Sequence, residues 1–153
     1  MKKILLHAYG NPGRRDDGLG DAFVTAMEEW LHQQHIGSVS TTSSFQLNVE
    51  DAADIVQYDY VIFVDASKGE REPYFFSEVY PSPHTSFTSH SLSAESVLSL
   101  CMELYTHHPK VYQLQIKGYD WEAGEGLSAK AEENLRNAIE FAQKILIDFS
   151  NQE

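Results

Sequence analysis

The run Tyr60-Val61-Ile62-Phe63-Val64 constrains this chain more than any other segment. Five apolar residues in a row, mostly β-branched or aromatic, suit a strand buried on both faces, as in the middle of a parallel sheet covered by helices. The run stops at Asp65. The rest of the chain supplies the covering layers. Residues 3–9 read as a short apolar strand that ends at Gly10-Asn11-Pro12-Gly13, a cluster that punctuates backbone. From Leu19 the apolar residues Phe23, Met27, Trp30 and Leu31 fall on one helical stripe, with Asp16, Asp17 and Asp21 crowding its start, where the helix dipole favours anions. A polar strand over 39–45 precedes a weaker helix with the stripe Val49, Ala52, Ala53 and Val56. A strand over 74–79, a Ser, Thr and Pro rich loop and a helix from about Ser93 follow, the helix packing through Val97, Leu100, Cys101 and Leu104. A strand over 110–117 leads to a final helix with Ser128 as N-cap. Strands alternating with helices at these lengths predict an α/β fold, a three-layer sandwich with a mostly parallel central sheet of about five strands and helices on both faces. The 39–45 and 74–79 strands are the expected edges, the latter antiparallel.

Length and composition bound the function. Residues 1–153 make one domain, with enough apolar residues, 42%, for a sizeable core. A net charge of -12 with scattered Lys and Arg excludes general nucleic-acid and anionic-membrane binders, which need clustered cations. No apolar stretch approaches the ~20 residues of a membrane span. The single Cys101 fits a reducing compartment, so the expected location is the cytoplasm. The helices all have plausible internal partners, which implies a monomer.

In an open α/β sheet the ligand crevice lies beyond the carboxyl ends of the strands. The loops expected there carry Gly10 to Gly20, Asp65, His90 and the stretch from Tyr119 to Leu127. If Asp16 or Asp17 comes within ~5 Å of Asp65, an effective dielectric of ~20 gives a repulsion of roughly 3 kcal/mol between the ionised forms. A cation or a raised pKa relieves it. Adding the His90 imidazole gives a donor set suited to zinc or nickel, with coordination positions left open for chemistry. The plainer alternatives are a charged helix start for Asp16 and Asp17, loop-amide bonding for Asp65 and simple exposure for His90. His32 and His35, on the outer face of their helix, read as solvated, and His7 interrupts an otherwise apolar strand as either a site-adjacent base or a strand-end histidine. Dinucleotide, phosphate-loop, nucleophile-elbow and H-E-x-x-H motifs are missing.

Four stretches, taken together, resemble the hydrogenase maturation proteases. They are Gly10-Asn11 with Asp16-Asp17-Gly18-Leu19-Gly20; Val61-Ile62-Phe63-Val64-Asp65-Ala66; Ser89-His90-Ser91-Leu92; and the long stretch from Gly118 through Tyr119, Asp120, Trp121 and Glu122 to Ser128. They occur in the family's order and span nearly the whole chain. The resemblance implies an endopeptidase that removes the C-terminal extension of a nickel-iron hydrogenase large-subunit precursor after nickel insertion. It also implies a metal site of Asp17, Asp65 and His90, with nickel supplied by the substrate and zinc or cadmium able to substitute in isolation. Asn11, Asp16, Gln46, Tyr119 and Glu125 lie in the loops that should meet the precursor, together with residues 85–89, and Asp16 also serves the helix start. The chain departs from the family at Ala8 and His7, where Gly and an apolar residue are usual, and at Ser44-Phe45-Gln46 in place of Gly-Gly-Thr. Two readings from other classes compete: a phosphoacceptor signalling module with Asp65 as acceptor and Lys117 near the last strand's end, and a non-catalytic nickel chaperone.

Overall fold

The computed structural model describes residues 2–82 and 92–151. Five strands, β1 (Ile4–Tyr9), β2 (Val39–Ser44), β3 (Tyr60–Ser67), β4 (Tyr74–Val79) and β5 (Lys110–Lys117), form one sheet in the order β2-β1-β3-β5-β4. Every pairing is parallel except β4 with β5, so the polar second strand and the antiparallel fourth are the edges, as expected.

Strand periodicity divides the core into two layers. Ile4, Leu6, Ala8, Ile62, Val64, Leu114 and Ile116 meet α1 (Leu19–Gln33) and α4 (Ala129–Ser150) through Phe23, Met27, Ala138, Ala142 and Leu146. Leu5, Val61, Phe63 and Val111 meet α2 (Glu50–Ile55) and α3 (Ala94–Leu104) through Ile55, Val97, Leu98 and Cys101. The continuous apolar run of β3 is therefore used on both sides. Ser93 and Ser128 each cap a helix by accepting from the backbone N–H three residues on. His32 and His35 are exposed and Cys101 is buried, as the helical stripes predict.

Three expectations are corrected. The strand does not stop at Asp65: β3 runs on to Ser67 because β5 continues beside it, pairing Asp65 with Gln115 and Ser67 with Lys117. Val49 and Ala53 are exposed, and Asp51, Ala52 and Ile55 form the buried face of α2. The cause is the helix start: Asp51 Oδ2 accepts from Asn48 N–H (2.8 Å) and Asn48 Oδ1 from Glu50 N–H (3.1 Å), which sets the phase of a helix only six residues long. Leu104 ends α3 at 61% exposure, beyond the area the sheet covers.

Candidate active site

Beyond the carboxyl ends of β1, β3 and β5, the connecting loops are fastened to one another by backbone hydrogen bonds. Asp16 N–H donates to the Asp120 carbonyl (2.9 Å), Arg15 N–H to Gly124 (2.9 Å), Gly124 N–H to Gly13 (2.9 Å) and Gly118 N–H to Ser67 (3.0 Å). The side chain of Asp16 is the centre of this junction. It is fully buried, and its carboxylate accepts from Tyr119 N–H (2.7 Å), Asp120 N–H (3.0 Å), Ser128 N–H (2.8 Å) and Ser128 Oγ–H (2.7 Å). Burial alone pushes its pKa up, but the donors from Ser128, Asp120 and Tyr119 outweigh that and hold it below the usual carboxylate value. With no exposed surface and four donors in hand, Asp16, expected among the residues that meet the substrate, is a clamp between the β1–α1 and β5–α4 loops.

Asp17, the next residue, is half-buried and turned to a different use. Its Oδ2 accepts from Asn11 N–H (2.8 Å), which anchors it above the end of β1. Asp65, also half-buried, closes the buried part of β3, and its Oδ1 accepts from Ala66 N–H (2.8 Å). Burial pushes the Asp65 carboxyl up, the Ala66 N–H pulls it back, and the negative Asp17 pushes it further up, to about 7. Asp17 and Asp65 thus share one electrostatic environment with too little positive charge. Among the described residues no group of three His, Cys, Asp or Glu converges on a metal position; His90, the expected third ligand, and the expected contacts at 85–89 lie outside the described residues.

The loop that delivers Asp17 depends on a glycine. Gly10 has φ +139°, and a Cβ there would stand 2.3 Å from the Asp17 carbonyl oxygen. Gly10→Ala is expected to cost about 2 kcal/mol or more, seen as a fall of roughly 4–8 °C in melting temperature for a chain of this size; an unchanged melt would show that the loop relaxes freely.

The remaining candidates surround this pair. Asn11 is half-buried, its Oδ1 accepting from Gly13 N–H (2.9 Å). Gln46 and Glu125 are exposed. Tyr119, 39% exposed, is held by Glu72, by Asn134 Nδ2–H (2.9 Å) and by the Lys117 ammonium 5.4 Å from its ring. His7 is neither exposed nor a free base. Ser44 Oγ donates to the Gln46 carbonyl (3.0 Å) and so accepts from His7 Nε2–H (3.1 Å), leaving Nδ1 to accept from Thr42 Oγ1–H (2.5 Å). Burial lowers its pKa against the opposing carboxylates of Asp51 and Asp54, so the ring is neutral.

Sequence reasoning missed Tyr9, Gln113 and Glu95. Leu5, His7 and Tyr9 alternate onto the α2/α3 face of the sheet, as Val111 and Gln113 do on β5. The Tyr9 hydroxyl accepts from Gln113 Nε2–H (2.7 Å), two strands away across Phe63, whose ring it meets edge-on at 6.4 Å. The carboxylates that act on the phenol are those of Asp65 and Glu95, the latter in the first turn of α3. Period-two alternation was the available signal, but it does not reveal that the Tyr9 ring crosses a neighbouring strand.

A scan against protein-family profiles and a search of curated proteins find no match to this sequence. Solved structures do match. The hydrogenase maturating endopeptidase HybD from E. coli superposes with a TM-score of 0.75 at 19% identity, covering 95% of this chain and 93% of that one. The NiFe hydrogenase maturation protease HycI from Thermococcus kodakarensis gives 0.73 at 19% identity over 95% and 92%. The solution structure of an endopeptidase from Escherichia coli gives 0.74 at 20% identity over 99% and 95%. At these identities the likeness is one of fold, and it extends over almost the entire chain.

Proposed function

We propose that this chain is an endopeptidase of hydrogenase maturation, removing the C-terminal extension of a nickel-iron hydrogenase large-subunit precursor once nickel is in place. The observation that carries this reading is the electrostatic coupling of Asp17, beyond the end of β1, to Asp65 near the end of β3, with the Asp65 carboxyl raised to about 7, inside a fold shared end to end with endopeptidases so named. The nickel belongs to the substrate. Asp17, Asp65 and His90 are the residues that would meet it, and the deficit of positive charge around the two carboxylates suits a divalent ion that a precursor brings with it. A loaded precursor then docks productively, whereas an empty one leaves the repulsion between the carboxylates unrelieved. Work in the cytoplasm as a monomer goes with this reading, and no described helix is long and apolar enough to cross a membrane.

The phosphoacceptor alternative finds no support: β4 is antiparallel, and Lys117 lies over the Tyr119 ring. The test is cleavage of purified precursor with and without nickel, by the wild type and by Asp17→Ala and His90→Ala variants. The expected result is cleavage of the loaded precursor only, a loss of at least about 100-fold in each variant, and unchanged melting temperatures. Full activity in a folded double variant overturns the assignment; nickel binding without cleavage makes the chain a carrier. Calorimetric titration of nickel, zinc and cadmium, with magnesium as control, measures whether the isolated protein binds metal on its own.

A further inference from the structure

We infer that Tyr9 is a catalytic residue of this site, its phenol O–H the donor that stabilises the scissile carbonyl as negative charge develops on its oxygen; the inference rests on the peptidase reading above. Three observations meet at this side chain. Tyr9 ends β1 on the same sheet face as Phe63, and its ring leans across that strand until the hydroxyl reaches Gln113 on β5. The hydroxyl therefore lies over the middle of the sheet, within electrostatic reach of Asp65 on β3 and of Glu95 in the first turn of α3.

The second observation is the direction of the hydrogen bond. Gln113 donates its amide hydrogen to the phenol oxygen, so the phenol's own hydrogen is turned elsewhere, and among the described residues no acceptor takes it. A half-buried donor fixed by a half-buried amide and otherwise unspent is preorganised for a ligand oxygen. The third is its protonation. Burial, reinforced by the negative charges of Asp65 and Glu95, pushes the Tyr9 pKa far up, so the group is a permanent donor and not a base.

In the reaction, a water oxygen bonds to the scissile carbonyl carbon, and the carbonyl π electrons move to its oxygen. Tyr9 hydrogen-bonds that oxygen and keeps its own proton. One proton of the water passes through solvent to the amide nitrogen as the C–N bond breaks, and the carboxylic acid and amine so formed exchange the other, leaving as one carboxylate and one ammonium. No oxidant or further reactant is needed.

The experiment measures kcat and KM for nickel-loaded precursor with the wild type, Tyr9→Phe, Gln113→Met and Asp65→Asn, alongside thermal melts. Tyr9→Phe should lose about 100-fold in kcat with KM and melting temperature nearly unchanged, the pattern of an interaction made only in the transition state. Gln113→Met frees the phenol from its anchor and should lose about tenfold in kcat, through positioning. Wild-type kcat in a folded Tyr9→Phe, with Asp65→Asn inactive, overturns the inference and leaves the peptidase reading standing. Wild-type kcat in both overturns the site altogether. If Tyr9→Phe fails to fold, the Gln113→Met result decides: an unchanged kcat overturns the inference.

Discussion

Asp16→Asn should lower the melting temperature by roughly 10 °C, although it exchanges one side-chain oxygen for an NH2 group. Three backbone N–H groups and one hydroxyl point at this buried carboxylate. An asparagine must set its own N–H hydrogens against at least one of them, leaving a buried donor unpaired and the other bonds without charge assistance. Charge-assisted hydrogen bonds contribute about 1.5–3 kcal/mol each, so losing the equivalent of one or two costs about 3 kcal/mol or more, and each kcal/mol is roughly 2–4 °C for a chain of this size. The sign of the pH dependence follows from the depressed pKa. The carboxylate's contribution is present above its unfolded value of 3.8 and is lost as pH falls through the lower folded value, so the wild type loses this part of its stability in acid and the variant has none to lose. Thermal melts of the two proteins from pH 7 to pH 3 check it. Equal melting temperatures at pH 7 would mean that the loops hold together without the clamp.

Asp65→Asn should do the opposite to stability while abolishing cleavage. Folding raises this carboxyl from 3.8 to about 7. A group raised in the folded state contributes stability that is full below its unfolded pKa and is lost as pH rises through the folded one, so the wild type should weaken steadily between about pH 4 and pH 7. Three pH units correspond to about 4 kcal/mol at most, and relaxation of the half-buried site reduces that to about 2 kcal/mol. Asparagine keeps the shape without the charge. It should therefore melt several degrees higher than the wild type at pH 8 and show a flat profile where the wild type slopes. The gain in stability with loss of activity is what a carboxylate held in place for its chemistry predicts. A variant no more stable than the wild type at pH 8 would show that Asp65 is not under electrostatic strain.

Much of this was readable in advance because it rests on local pattern. The apolar run of β3 required cover on both faces, and the helical stripes supplied that cover. Ser93 and Ser128 announced helix starts, and the polar composition of β2 announced an edge. Asp65 stood out as a candidate because a charge that follows a buried apolar run needs a reason. By residue pattern alone Asp16 and Asp17 were not separable, and only the family resemblance singled out Asp17. They are adjacent, chemically identical and at the same helix start, and only the approach of the β5–α4 loop turns the first into a buried clamp and leaves the second beside Asp65.

By itself the sequence determined the alternation of strand and helix, the two-sided burial of the central strand and the gathering of acidic residues at strand ends. These follow from periodicity, which acts within a few residues. The tertiary structure decided which carboxylate is buried and bonded, that Asp65 titrates near neutrality, and that Tyr9 reaches Gln113 across a strand. Each of those depends on groups far apart in the chain: Ser128 lies 112 residues from Asp16, and Gln113 lies 104 from Tyr9. Desolvation and hydrogen-bond direction are set by the surroundings that such distant groups create.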